Sequence, residues 1–455
     1  MSYSLVQSSG TGVQGAADDI YYLVRDTTNV TEPKYRYLCR ITIDSVVIGT
    51  FKQLPNDSNS AVFLIQNIVN DYVKQDNNKF ELGISDATKI FSTNTNAFKT
   101  VSVELGYEKA TTINDAPVQT FVGSLNSTFK LINGSLKSQL KNSNQSNSAF
   151  KYQLSIATDQ FLSAIKPIDS VYHQDVIEGQ IGSMSFLNGD DVSSFPSYLH
   201  VTYYTEAGVA INTGYFTNDT AQGGKAPAAG LTDVQSLIYF GCFPKNLETQ
   251  SIDTNLRPSN NTNWSYYDVQ AANSTTLSGN QKSAKYRFHK LCDTRYNIID
   301  GISTSEWSLH WWNEVGGIDN LILDGASQVQ QSMKRTSYRT IGNNAFGAGI
   351  ADGYSKPPQQ GGKKAGKNLT TTTLTLNTRE HNPDRLNYLI QSLVNSPTVF
   401  INMPVNLQQP LTDVNTAVVK CYVEDVQIKY NSSISDKISS YTITVEISRR
   451  KLTVI

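Results

Sequence analysis

Alternation between apolar and polar side chains is the pattern that most constrains this chain, and residues 307–323 carry it most sharply. Trp307, Leu309 and Trp311 alternate with Ser308, His310 and Trp312, the two-residue period of a β-strand. Asn313, Glu314, Val315, Gly316 and Gly317 break the pattern with a turn-prone cluster, and Ile318, Leu321 and Leu323 resume an apolar run. A strand, a glycine turn and a second strand predict a stiff hairpin carrying a large aromatic load. Such a hairpin belongs to an all-β structural module and carries no obvious catalytic equipment.

The same alternation recurs. Cys39, Ile41 and Ile43 oppose Leu38 and Arg40, and Val101, Val103, Leu105 and Tyr107 form a second strand. Leu199, Val201 and Tyr203 alternate with His200, Thr202 and Tyr204, and further strands are predicted at 236–243, 399–402, 418–430 and 441–447. Long helical periodicity is nearly absent. Phe63, Ile65, Ile68, Val69 and Tyr72 approach helical spacing, so a short helix is expected there. Asn382, Pro383 and Asp384 give an N-cap, a proline at the first helical position and an acid in the first turn. Leu386, Leu389, Ile390 and Leu393 supply the apolar stripe of that helix, and Asn395-Ser396-Pro397 ends it. The expected fold class is mainly β and multi-domain: antiparallel, sandwich-like modules with a few short helices.

Four regions follow from these patterns. Residues 1–30 read as an N-terminal arm whose first 15 residues order only against a neighbour, and 31–110 as a β-rich domain with one helix. Residues 111–283 read as a middle β-containing domain with long loops; there 129–140 and 152–168 fit either helix or strand, and 251–280 reads as a long surface connection rich in Asn, Ser and Thr. Residues 284–455 form a C-terminal β-rich domain. Its segment 343–367 contains repeated glycine and Lys356-Pro357-Pro358, and is expected to be a flexible loop that orders only by contact, since it has too few apolar side chains to offset the entropy of ordering.

Composition excludes some classes of function. The chain has 455 residues, a net charge of -1 and 17% charged residues. That balance gives no general reason to seek nucleic acid or an anionic membrane, so neither contact is expected. No run is long and apolar enough for a membrane span, and Met1-Ser2-Tyr3-Ser4 does not begin a secretory leader. Cys39, Cys242, Cys292 and Cys421 lie far apart without metal-ligand spacing, and buried free thiols are expected.

The search for chemistry finds little. His173, His200, His289, His310 and His381 form no metal-ligand pattern, and His310 is expected to face solvent or a neighbour. Gly347-Ala348-Gly349 lacks the phosphate-loop arrangement. Asp190 and Asp191 read as a surface turn ahead of a calcium or glycosidase reading, and Asp319 and Asp324 as turn caps. Lys356, Lys363, Lys364 and Lys367 read as a solvated loop, ahead of a salt-sensitive and unspecific contact with a nucleic-acid backbone. No catalytic residue, metal ligand or cofactor is assigned, and an enzyme is not expected. Trp307, Trp311, Trp312, Asn313, Gly316 and Gly317 are the candidate packing or interface residues, with core packing ahead of interface use.

Two patches resemble structural proteins of tailed-bacteriophage virions, of the tail-tip, baseplate or neck class. One is Tyr35-Arg36-Tyr37-Leu38-Cys39-Arg40-Ile41-Thr42-Ile43-Asp44 with Leu54-Pro55-Asn56 and 63–73; the other is Leu309 to Asp319 with Arg335-Thr336-Ser337-Tyr338. The resemblance covers about a quarter of the chain and carries no catalytic residues. It implies a virion component that self-assembles into a ring or other symmetric homo-oligomer and contacts other phage structural proteins. Two rivals stand beside it: a carbohydrate- or receptor-binding module that recognises a host surface glycan, and a polysaccharide hydrolase whose carboxylate pair is not evident.

Overall fold

A computed structural model describes residues 3–9, 12–76, 79–135, 152–188, 195–226, 236–291, 307–340, 362–378, 383–402, 418–430, 439–447 and 451–454. The chain divides into two compact units. The first comprises Met1–Cys292, Trp311–Asn320 and Asp384–Pro397; the second comprises Asp293–His310, Leu321–Pro383 and Thr398–Ile455. The protein is mainly β, with several antiparallel sheet modules and a few short helices.

The first unit opens with two sheets around one core. Strands Ser4–Ser8, Tyr21–Arg25 and Ser60–Leu64 form a three-stranded sheet in that order. A six-stranded sheet runs Gly12–Gly15, Ser127–Ile132, Phe98–Lys109, Arg36–Ile43, Val46–Gln53, with Val118–Phe121 also paired to Phe98–Lys109. Alternation places Tyr22 and Val24 from one sheet and Tyr37, Cys39, Ile41 and Ile43 from the other in a shared core. Burying each such side chain contributes roughly 1.5–3 kcal/mol. Asp44 and Ser45, with φ of 46° and 69°, form the two-residue turn that joins Arg36–Ile43 to Val46–Gln53. Two consecutive left-handed residues match the twist of a tight hairpin.

The expected arm departs from this structure. Ser4–Ser8 pairs with Tyr21–Arg25, Gly12–Gly15 pairs in parallel with Ser127–Ile132, and Tyr3 and Val13 are buried. The ladder supplies the backbone partners that composition alone did not reveal, because the second of them lies more than a hundred residues away. The expected helix at 63–72 is also shorter: Phe63 and Leu64 finish a strand, and only Gln66–Asn70 is helical.

Two further sheets complete this unit. One runs Gln153–Leu154, Met184–Asn188, Leu237–Phe240, Phe91–Thr93. The other runs Pro167–Ile168, Val171–Val176, Lys285–Lys290, Tyr266–Ala272, Tyr198–Tyr204, Ala210–Thr217. The expected surface connection at 251–280 therefore contains an inner strand, with Tyr267, Val269 and Ala271 buried, besides a buried Leu256 and Trp264. Flanking Asn, Ser and Thr hide the alternation of that short run. The ambiguous 129–140 segment is a strand as far as Ile132, and 152–168 holds only two two-residue strands. Helix Pro383–Asn395 buries Leu386, Leu389, Ile390 and Leu393, the stripe its sequence spacing requires.

In the second unit, Val399–Asn402, Val418–Tyr430, Ser439–Ile447, Gly362–Asn377 and Gln328–Thr340 pair antiparallel in that order, with Lys451–Val454 along Gly362–Asn377. Residues 362–367, expected in a loop, begin a strand; threonines and a distant partner strand outweigh the glycine and lysine signal. The remainder of that loop, 343–361, lies outside the described residues, as do Asp190, Asp191, Cys292, His381 and Asn382.

Candidate functional site

The tryptophan hairpin forms as its alternation requires, with strands Ser308–Trp312 and Ile318–Ile322. Its tip is a polar knot. Asn313 Nδ2 donates to the Leu162 carbonyl at 2.9 Å and to Asp319 Oδ2 at 3.0 Å, while Asn313 Oδ1 accepts from the Val315 and Gly317 amides at 3.2 and 2.8 Å. Asp319 also accepts from the Ser163 hydroxyl at 2.5 Å and the Ala164 amide at 2.9 Å. Gly316 has a φ of 84°, and a Cβ on Gly317 would lie 2.0 Å from the Leu162 carbonyl oxygen. Close backbone approach thus explains both glycines.

Trp307, Trp311 and Trp312 are buried. The Trp311 indole donates to Ser392 Oγ at 3.0 Å, and Trp312 meets Tyr239 edge-on. Asn313, Gly316 and Gly317 are buried as well. His310, expected to face outward, is fully buried with a ring nitrogen 3.2 Å from Ser308 Oγ. Asp319 is not a surface turn cap but the centre of the knot. Trp307, Leu309 and Trp311 fill one face, and Trp312 is buried beside His310 on the other, so the histidine is enclosed as well.

Burial raises the Asp319 carboxyl to about 6, against hydrogen bonds from Ser163, Ala164 and Asn313 that favour its ionised form. A carboxyl raised on folding holds its proton more tightly in the native state. It therefore costs stability above that value, and the cost is relieved as pH falls through about 6 towards 4. The stability advantage of wild type over Asp319→Asn should grow by about 2 kcal/mol between pH 7 and pH 4.5. Urea unfolding of both proteins at the two pH values measures it, and a difference independent of pH would refute it.

A second polar cluster lies on the Val171–Val176/Lys285–Lys290/Tyr266–Ala272 region of the sheet. Arg287 makes a bidentate pair with the buried Asp268 at 2.7 and 3.0 Å, and Lys285 approaches the same carboxylate at 3.4 Å. The Arg287 guanidinium also lies 4.1 Å from the centre of the Tyr266 ring, which stacks on Tyr204 at 4.9 Å. His173 and His289 stack with ring nitrogens 2.8 Å apart. The parallel register brings the histidines together from 116 residues apart, so no local pattern could signal them. Stacking already occupies much of the aromatic surface that a sugar would use.

A cleft of the first unit holds about 120 Å³ between Gln160, Lys166, Tyr172, Glu314, Tyr388 and Gln391. Pockets for drug-sized ligands are about 300–1,000 Å³. Among the described residues no group of three His, Cys, Asp or Glu is placed to hold a metal ion, and no helix is long and apolar enough to cross a membrane. Cys39, Cys242 and Cys421 are free and buried, and burial pushes the Cys39 and Cys421 thiols up to about 12.

One exposed apolar feature of the first unit is a sheet edge. Val46–Gln53 ends the order of its sheet among the described residues, and Val46 and Val47 are 63% and 59% exposed. Leu54, just beyond it, is 66% exposed. Lys52 is the only charged residue in the strand. Unpaired strand edges normally carry charges, proline or a bulge that blunts them. The register slips where Ile41 faces Gly49 and Thr42 faces Val47, so Ile48 of the edge strand is the extra residue, a bulge beside the two exposed valines.

No family profile and no curated protein matches the chain. Among solved structures, extracellular domains 3–5 of Drosophila OTK align over 82% of this chain and 92% of theirs, at 9% identity and a TM-score of 0.19. The Y1175G mutant of Salmonella alpha-2-macroglobulin aligns over 100% of this chain and 34% of its own, at 8% identity and a TM-score of 0.14.

Proposed function

We propose that this chain is a structural component of a virion, of the tail-tip, baseplate or neck class, which assembles by adding strands of neighbouring copies at its exposed edge. The observation that carries the assembly reading is the Val46–Gln53 strand, an open edge bulged at Ile48, with two exposed valines at its start. Backbone groups along such an edge offer a ladder to a second chain, and the valines add apolar area that water leaves uncovered. The virion assignment rests on the two sequence patches, one of which includes the inner strand of this hairpin. An aromatic-filled interior with a small cleft suits a load-bearing part better than a turnover enzyme.

Light scattering coupled to size exclusion tests this reading on the full chain. Wild type should form concentration-dependent oligomers. Val47→Lys, a change on an exposed position, should weaken that association by about tenfold or more while shifting the melting temperature by only a few degrees. A wild type that stays monomeric at high concentration, or a variant that assembles equally well, would overturn it.

A further inference from the structure

Strands Gln328–Thr340 and Gly362–Asn377 pair from Gln328 opposite Thr375 to Thr340 opposite Gly362. Between them they carry Lys334, Arg335, Arg339, Lys363, Lys364 and Lys367, and not one Asp or Glu. The whole chain has 38 basic and 39 acidic residues, so this ribbon is a local segregation of charge that the overall balance conceals. Its register places Arg339 directly opposite Lys363 and Tyr338 opposite Lys364. Six cations and no anion on one strand pair repel one another. An anionic partner would convert that cost into a gain.

Every residue from Gln328 to Tyr338 is exposed, on both faces of the ribbon, and Lys363 is exposed on the second strand. Alternation puts Lys334 on one face and Arg335 on the other. Neither face is therefore the apolar side that a membrane-surface element buries in lipid. Gln328, Gln330, Gln331, Ser332 and Ser337 line the same exposed strand with neutral hydrogen-bonding groups of the kind that contact phosphate oxygens. At about 3.3 Å per residue the thirteen-residue edge strand spans roughly 40 Å, long enough to follow a row of phosphates along a duplex.

We propose that this ribbon binds the phosphate backbone of double-stranded DNA without sequence preference. The inference is independent of the edge-strand assembly reading, since it uses a different unit and different residues. Its contacts are charge pairs with phosphates, so affinity must fall steeply with salt as counterions are released.

The test is fluorescence anisotropy of a labelled 30-base-pair duplex of arbitrary sequence with the full chain, between 50 and 200 mM salt. Wild type should bind, with log affinity falling against log salt at a slope of about -3 to -5. Lys334→Gln/Arg335→Gln/Lys363→Gln should bind at least tenfold more weakly at 50 mM salt and lower the slope by about 2 to 3. All three side chains are exposed, so the variant should keep its circular dichroism spectrum and melting temperature. Absence of binding at 50 mM, or equal binding by a folded triple variant, would overturn the proposal. So would tighter binding to vesicles containing 30% phosphatidylserine, or to polyglutamate, than to the duplex.

Discussion

Asn313→Ala should lower the unfolding free energy by about 3–5 kcal/mol, placing it among the most damaging single changes in the chain. One side chain serves four partners, the Leu162 carbonyl, Asp319 and the Val315 and Gly317 amides, and Asn313 is buried. Truncation strands those groups where water does not reach them easily, and each unsatisfied buried group costs about 1–3 kcal/mol. Asn313→Asp is instructive because it keeps the acceptor for the two amides but removes the donor to Leu162 and sets a second carboxylate against Asp319. That variant should also be strongly destabilised at pH 7 and should recover in part towards pH 5. Chemical denaturation of the three proteins measures both effects, and a loss under about 1 kcal/mol for the alanine variant would show that the knot is dispensable.

Asp76→Ala is expected to cost about 3–4 kcal/mol, and Asp76→Asn much less. Asp76 Oδ1 accepts from the Thr95 amide, the Thr95 hydroxyl and the Asn96 amide at 3.1, 2.6 and 2.8 Å, and Oδ2 accepts from the Tyr239 hydroxyl at 3.0 Å. Alanine leaves all of these donors without their acceptor beside the fully buried Tyr239 ring. Asparagine keeps the Oδ1 side, and the Tyr239 hydroxyl can rotate to accept from the new amide. Burial, followed by the nearby Asp76 charge, holds the Tyr239 phenol well above its usual range, so it stays a neutral donor throughout the working pH range. Thermal melts that rank alanine and asparagine equally would contradict this division between the two oxygens.

The sequence exposed the parts of this fold whose partners are encoded locally. Tyr37, Cys39 and Ile41 alternate within one strand, and Leu386, Leu389, Ile390 and Leu393 keep helical spacing; both patterns match the buried positions. Order that depends on a distant strand was hidden. Nothing near Gly12–Gly15 points to Ser127–Ile132, and the Asn/Ser/Thr-rich surroundings of Tyr266–Ala272 mask an inner strand. Among the six residues chosen at the hairpin, bulk and turn chemistry were legible in Trp311, Asn313, Gly316 and Gly317. The role of Asp319 was not, because its donors Ser163 and Ala164 lie more than 150 residues earlier. The basic ribbon was half legible: its lysines were visible in the sequence, but a glycine-rich context concealed the strand that sets Lys363 against Arg339.

The division of the chain has a consequence in time. Trp311–Asn320 and Asp384–Pro397 belong to the same unit as the first 292 residues. At roughly 5–20 residues per second, a ribosome takes about 5–20 s to pass from Cys292 to Pro397. Early in that interval the Leu162 carbonyl lacks Asn313, and the groups at Ser163, Ser183 and Ser185 lack the hairpin residues that later engage them; Trp311 waits longer, for Ser392. The nascent unit must therefore wait, incomplete and with polar backbone uncovered, for two short segments made after the rest of it. A chain released before Pro397 would lose the closing pieces of a body whose other strands were finished long before.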